Sequence, residues 1–226
     1  MSQRTECGKP HASWIVAKRG YVTCEDEKRI VVIDLKSGRT VDHFETLQQG
    51  SHVLSFEPES RILASSNVDS GSITLINIDS GDTRIVDLAA GSEGALTVAD
   101  RIWVANATDG SISIVDPGAG VVIGQVDSVC RFPIALSQDA RAQVWVACFA
   151  SAELVSIDPD SFVVQRRIRL DQQPLNVLTH PGRQLAYVSL PRQNAITEID
   201  LESGEELRRL DVGIEPDGLR WAPRVN

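Results

Sequence analysis

Short hydrophobic runs separated by turn residues recur along the whole chain. The runs are rich in Val, Ile and aromatic residues and are bounded by Gly, Asp, Ser or Pro, which is the pattern of β-strands. No stretch keeps a helical periodicity over three turns. The sequence therefore predicts an all-β protein.

One sequence unit is present in five copies with a period of about 42 residues. Each copy has a strand that ends near an Asp and a Ser/Gly turn, and another short β-rich run stands on either side of it. Four short strands in such a period are typical of a β-propeller blade, because blades that pack side by side bury a core that no single blade could bury. The repeated Asp residues are taken as Asp34, Asp79, Asp116, Asp158 and Asp200.

A single β-propeller domain over residues 1–226 is predicted, with four antiparallel strands, A to D, in each blade. The repeats are approximately 8–49, 50–91, 92–131, 132–172 and 173–212, followed by a terminal strand within 213–223. Strands B, C and D occur five times but the inner strand A occurs six times, so five blades are preferred and an open or incomplete six-bladed propeller is the alternative. A lone sixth strand would leave a sheet edge uncovered. The A strands are predicted at 12–17, 52–57, 94–99, 134–138, 175–179 and 217–221.

The repeat resembles the YVTN family of β-propellers. The residues that carry the resemblance are a Tyr/Trp-Val-x-Asn strand, an Asn/Asp/Gly loop, an x-Val-x-Ile-Asp strand and a Ser/Gly turn, over residues 8–223. Streptogramin lyases and phosphogluconolactonase-like proteins are similar at this level, so the resemblance implies a fold more than an activity. Streptogramin lyases eliminate across a lactone with His, Glu and a divalent metal, and their specific motif is not recognisable in this chain.

Charge and hydropathy narrow the function classes. The 226 residues include 31 acidic and 22 basic side chains, with a net charge of -9, which disfavours nucleic acid and anionic membranes as partners. No run of 18 apolar residues and no apolar leader occurs. A cytoplasmic protein with a small-molecule substrate is expected, and its oligomeric state is left open.

The four cysteines form no CxxC motif, which argues against a zinc knuckle or a thioredoxin-type site. Cys24 and Cys148 fall at one equivalent repeat position, and Cys7 and Cys130 at another. Because equivalent positions in different repeats rarely touch, reduced thiols are expected rather than disulfides. The five repeated Asp residues are interpreted as structural, since each precedes a turn in which its side chain can accept backbone N–H groups.

A ligand site is predicted at one rim of the blades. The D-to-A and B-to-C connections of antiparallel blades share a rim, and its polar residues form a candidate small-molecule pocket. The A strands are aligned on Pro10, Ser51, Glu93, Pro133, Pro174 and Pro216. This alignment puts six residues at one level, namely His11, His52, Gly94, Ile134, Leu175 and Asp217.

The enzyme hypothesis assigns roles to these rim residues. His11 or His52 is a general base or acid, and Asp217 or Glu215 orients the imidazole. Arg131 or Arg192 would hold a carboxylate or enolate oxygen. The other predicted substrate contacts are Phe132, Asp109 and Asp69. No metal ligand or cofactor is assigned, although a divalent metal is possible because two His and a carboxylate could bind one.

Two functions from different classes follow. The preferred one is a small-molecule-binding propeller that acts as a cyclase, isomerase or lyase by acid/base or shape-based catalysis, with secondary metabolism as the suggested setting. The alternative is a non-enzymatic interaction or ligand-binding scaffold, which would need an exposed apolar patch. Aromatic residues make up 5% of the chain, which does not support a large patch of that kind.

Overall fold

The computed structural model describes residues 7–221 and is an all-β propeller structure. Strands account for 55% of it, in five four-stranded antiparallel sheets. Two short 3-10 helices, Glu25–Glu27 and Pro191–Gln193, interrupt the strand pattern. Among the described residues no helix is long and apolar enough to cross a membrane.

The first three blades lie in one compact unit that extends to Asp127. Each is a sheet of four strands in sequence order. The first blade contains β1 (Pro10–Val16), β2 (Arg19–Cys24), β3 (Arg29–Asp34) and β4 (Arg39–Glu45). The second contains β5 (Ser51–Glu57), β6 (Ile62–Asn67), β7 (Ser72–Asn77) and β8 (Thr83–Asp87), and the third contains β9 (Ser92–Val98), β10 (Arg101–Asn106), β11 (Ser111–Asp116) and β12 (Val121–Val126).

The other two blades lie in a second compact unit that begins at Ser128. They have the same strand order. The fourth blade contains β13 (Pro133–Gln138), β14 (Val144–Cys148), β15 (Glu153–Ile157) and β16 (Val164–Arg169). The fifth contains β17 (Asn176–Thr179), β18 (Leu185–Leu190), β19 (Ala195–Asp200) and β20 (Glu206–Asp211).

The two middle strands of each blade form the core. The second blade packs on the first through Leu63 and Ile76 and on the third through Ala64 and Leu75, which explains the continuous hydrophobic runs of its middle strands. In the first unit, Ile30 and Val32 pack in one cluster with Leu54 and Leu63 of the next blade. The outer fourth strands are mostly exposed.

The turn after the third strand is fixed by a side chain, as the sequence predicted, but one residue was assigned wrongly. Asp34 and Asp158 accept hydrogen bonds from the backbone N–H three residues later, at 2.7 and 2.8 Å. In the second blade Asn77 has this role, with Asp79 and Ser80 as its backbone donors. Asp79 instead forms an exposed ion pair with Arg61, because it lies two residues further along the turn.

The predicted terminal strand at 217–221 is wrong. This segment is irregular, since an inner strand pairs with the second strand of its own blade and no such strand follows among the described residues. Its end nevertheless packs on the fifth blade. The Trp221 Nε1 donates a hydrogen bond of 2.9 Å to the Thr179 carbonyl, and the indole lies edge-on to His180 and Tyr187.

The cysteines form two disulfides, Cys7–Cys24 and Cys130–Cys148, so the expectation of reduced thiols is wrong. Each bond lies within one repeat. The first and second strands of a blade are antiparallel, so residues just before the first strand meet the end of the second, where Pro10 faces Cys24 and Pro133 faces Cys148. Comparing equivalent positions across repeats could not reveal this proximity.

Candidate functional site

The inner strands β1, β5 and β9 begin at the same end of the first unit as the loop that follows β2. Their first residues and this loop bring together five side chains, called here the histidine cluster: Lys9, His11, Glu25, His52 and Glu93. Each of the three inner strands has a shift in its register with the second strand of the blade. At this shift the side chains no longer alternate regularly between the two faces of the sheet. The shift lies between Pro10 and Ser13 in β1, and β5 and β9 have similar ones. Such bulges redirect side chains at the rim of a sheet.

His52 is held between two carboxylates. Its Nδ1 lies 2.7 Å from the Oε1 of Glu25, and its Nε2 lies 3.0 Å from the Oε1 of Glu93. A carboxylate only accepts hydrogen bonds, so both ring nitrogens donate and His52 is an imidazolium. Burial by itself would lower the pKa of His52, but the hydrogen bonds and charges of Glu93 and Glu25 outweigh it and raise the pKa above the ordinary 6.5.

Glu25 is a charged carboxylate although it is only 8% exposed. One oxygen receives the His52 ring and the other forms an ion pair with the Lys9 ammonium. Burial would raise the pKa of Glu25, but its hydrogen bonds to Lys9 and His52 outweigh that effect and lower the pKa. The short 3-10 helix that starts at Glu25 places this carboxylate against the inner strands.

His11 stacks on His52. The ring centroids are 3.6 Å apart and the planes differ by 22°. An imidazole can take or give a proton near neutral pH. The stacked pair therefore offers two proton-transfer groups, of which His11 is the exposed one.

The other predicted site residues are distributed over both units. Asp69 and Asp109 lie in the turns after β6 and β10, in the first unit. The remaining five belong to the second unit, and their predicted roles stay predictions. Arg131 donates a hydrogen bond of 2.9 Å to the Ala150 carbonyl, and the ring centroids of Phe132 and Phe149 are 6.2 Å apart. Arg192 lies in the second 3-10 helix. The Glu215 N–H donates to the Asn194 side chain, and Asp217 follows β20.

Glu93 was placed one residue out of register by the sequence alignment. Ser51 pairs with Asn67, and Ser92 pairs with Asn106. Glu93, not Gly94, is therefore the equivalent of His52. The signal that could have set the register is the Ser–Asn pair itself, in which each Ser hydroxyl donates to the Asn side chain across the two strands.

Three members of the cluster could hold a metal ion in place of the proton on the Nδ1 of His52. His11, Glu25 and His52 each offer one ligand atom, and these atoms lie within 4.8 Å of one another. The hydrogen bond from the far nitrogen of His52 to Glu93 matches the carboxylate–histidine–metal arrangement of known sites. Two imidazoles and a carboxylate suit Zn²⁺ or Mn²⁺. A second geometric group, Cys7, Cys24 and Glu27, offers no thiolate because its cysteines are joined.

No family model and no curated protein matches the chain. Solved structures do resemble it. A streptogramin B lyase has a TM-score of 0.79 at 14% identity, over 93% of this chain and 71% of the lyase. The virginiamycin B lyase of Staphylococcus aureus has a TM-score of 0.76 at 13% identity, over 92% of this chain and 71% of that one.

The propeller fold is shared beyond lyases. A Kuenenia stuttgartiensis hydrazine synthase chain has a TM-score of 0.68 at 9% identity, over 96% of this chain and 90% of its own length. Likenesses at such low identity establish the propeller fold and leave the chemistry to the site.

Proposed function

We propose that this protein is a small-molecule enzyme of the lyase, isomerase or cyclase class that transfers protons at the histidine cluster. The observation that carries the proposal is the clamping of His52 between Glu25 and Glu93, with His11 stacked on it. Clustered ionisable groups with shifted pKa values at a rim are candidates for proton transfer. Two of the solved structures described above are lyases by name, which supports this class.

The two histidines have opposite tasks in the proposed reaction. Neutral His11 removes a proton from a carbon next to a carbonyl group, and the His52 imidazolium gives a proton to the departing oxygen. In an elimination the C–H and C–O bonds break, a C=C bond forms, and the proton gained by one ring balances the proton lost by the other. In an isomerisation the proton returns to a different carbon. Acid/base groups of this kind contribute about 10² to 10⁴ in rate.

Asp69 and Asp109, in the first unit, would bind polar groups of the substrate. Their substitution in the same assay as the histidines tests this role.

The test is a conversion assay on a library of lactones, esters and cyclic metabolites that includes virginiamycin B. Wild-type protein, His52→Gln and His43→Gln are compared by mass spectrometry. His43 is a matched control because it lies in the outer strand β4 and is exposed. We expect wild-type protein to convert a compound without a change of mass. The rate of this conversion should fall about 10²- to 10⁴-fold in His52→Gln and stay at the wild-type value in His43→Gln. Products one water heavier would indicate hydrolysis, and no His52-dependent conversion would argue against an enzyme.

A metal-assisted form of this activity is favoured by the His11, Glu25 and His52 geometry. A divalent ion bound there would polarise a substrate carbonyl. Calorimetric titration with Zn²⁺ or Mn²⁺ tests it. We expect saturable binding by the wild type and loss of binding in His11→Ala, while His180→Ala, which changes a turn histidine beside Trp221, binds normally. Absence of binding at neutral pH would leave the metal-free mechanism.

The interaction scaffold has one observation in its favour. Val121, Val122 and Ile123 at the start of the outer strand β12 are 48%, 42% and 46% exposed. Three consecutive exposed apolar residues at a sheet edge can receive a partner strand. Replacing Val122 with Lys would abolish such an association and leave a proton-transfer activity intact.

The two disulfides favour an oxidising compartment over the cytoplasm that the sequence predicted. Structural disulfides persist where thiols are not kept reduced. Alkylation of the protein taken directly from its source, without a reductant, should label none of the four cysteines. Labelling of all four would support the cytoplasmic alternative.

A further inference from the structure

A buried hydroxyl stands next to the last residue of the second strand in the first two blades. Thr23 and Ser66 are both 0% exposed. The Thr23 Oγ1 accepts a hydrogen bond from the Ala12 N–H at 2.9 Å and donates one to the His52 carbonyl at 2.8 Å. Each hydroxyl joins the inner strand of its own blade to the inner strand of the next.

Ser66 repeats this geometry one blade further on. Its Oγ accepts from the Val53 N–H at 3.0 Å and donates to the Glu93 carbonyl at 2.5 Å. The two residues whose carbonyls are held in this way are His52 and Glu93, which are joined to each other by the 3.0 Å contact of their side chains.

The bulge in β1 explains which group the Thr23 hydroxyl accepts from. Pro10 pairs with Cys24 and Ser13 with Val22, so the intervening Ala12 N–H has no carbonyl in the ladder. A buried N–H without a partner is costly. The Thr23 hydroxyl removes this cost and, through its own proton, reaches the neighbouring blade.

We propose that Thr23 and Ser66 are positioning residues that set the His52 and Glu93 side chains at the distance needed for proton transfer. The inference rests on the proposed function of the histidine cluster. A hydrogen bond to the carbonyl fixes the backbone from which the side chain projects, and the contacts of the His52 ring to Glu25 and Glu93 depend on that backbone. Supporting partners of this kind are typically worth about 10- to 100-fold in activity.

The hydroxyl is not a general requirement of a blade. The equivalent positions hold Ala105 in the third blade and Ala147 in the fourth, and both blades form complete four-stranded sheets. The fifth blade has Ser189, which is 0% exposed and whose hydroxyl has no partner among the described residues. A hydroxyl at this position therefore does not by itself form the two bonds that Thr23 and Ser66 form, and in the first unit those bonds reach the residues of the cluster.

A matched control lies on the same strands. Ser55 of β5 and Thr97 of β9 share a hydrogen bond of 2.6 Å between their hydroxyls. This bond also joins adjacent blades, but neither residue belongs to the histidine cluster. Ser55→Ala therefore removes an inter-blade bond of the same kind without touching the backbone of His52 or Glu93.

The experiment follows the imidazole NMR signals of the full chain against pH, without substrate. His52 is assigned by its loss in His52→Gln. The midpoint of the His52 titration is the pH at which half of its rings are protonated. In Thr23→Val and Ser66→Ala we expect this midpoint to fall towards 6.5, the ordinary value, because the contacts of the ring to its two carboxylates loosen. Ser55→Ala should keep the wild-type midpoint, and Thr23→Ser should restore it.

The outcomes separate positioning from plain stability. Equal midpoints in wild type, Thr23→Val and Ser66→Ala would overturn the proposal, as would a shift of the same size in Ser55→Ala. If Thr23→Val does not fold, Ser66→Ala, which adds no methyl group to the buried site, decides alone. A shifted midpoint in a protein that converts no compound would support the positioning role and count against the proposed function, so the two failures are distinguishable.

Discussion

The two compact units use the same blade for different purposes. At the first inner-strand position of the rim, the first unit carries His11, His52 and Glu93, whereas the second unit carries Ile134 and Leu175. Both units have a disulfide at the same place in a blade, Cys7–Cys24 and Cys130–Cys148. The disulfide is thus independent of the histidine cluster, which depends on the side chains at this position of the inner strands.

Removing the two disulfides separately gives the largest expected effect on stability. The bonds close loops of 17 and 18 residues, and each is expected to contribute about 3 kcal/mol to the free energy of unfolding. We expect Cys7→Ser/Cys24→Ser and Cys130→Ser/Cys148→Ser to lower stability in urea denaturation by similar amounts. Only the first pair should also lower the His52 midpoint, since Lys9 and His11 lie inside that loop. Equal effects on His52 from both pairs would break the distinction between the units.

Neutralising the carboxylates tests the charge balance of the first unit. We expect Glu93→Gln to lower the pKa of His52, because a hydrogen bond and a negative charge that raise it are lost. Turnover of an identified substrate should fall about 10- to 100-fold. Glu153→Gln in the second unit, where the partner is Arg167, is the control and should leave both quantities unchanged. An unchanged His52 titration midpoint in Glu93→Gln would contradict the contact between His52 and Glu93.

The pH dependence of stability should carry the signature of the cluster. The pKa of His52 is raised on folding, so its contribution is fully present below 6.5 and is lost as the pH rises through the raised value. The pKa of Glu25 is lowered, so its contribution is present above 4.5 and is lost as the pH falls through the lowered value. The stability difference between wild type and His52→Gln should therefore be largest between pH 4.5 and 6.5. A stability difference that grows above pH 6.5 would contradict the raised pKa of His52.

Turn residues should give the smallest effects and show what the units share. Asn77→Ala and Asp158→Ala each remove the acceptor of two backbone N–H groups, and we expect each to lower the melting temperature slightly. Asp79→Ala removes only an exposed ion pair with Arg61 and should lower it less, because surface ion pairs contribute little. Thermal unfolding of the three variants measures this. A larger loss in Asp79→Ala would restore the repeat alignment read from the sequence.

The sequence by itself determined the fold class, the five sets of strands and the rim on which His11 and His52 lie. These features are local or periodic, because a strand is recorded in the alternation and punctuation of its own residues, and a repeat in its spacing. The turn function of Asp34 and Asp158 was predictable for the same reason, since donor and acceptor are three residues apart.

Only the tertiary structure decided the partners. The sequence alignment missed Glu93 by one residue because the turn between the first two strands differs in length, with four residues after β5 and two after β9, so a fixed spacing does not set the register. It missed the disulfides because the cysteines meet across a hairpin within one repeat. The charge state of His52 depends on Glu25 and Glu93, 27 and 41 residues away along the chain, and such contacts exist only once adjacent blades have packed.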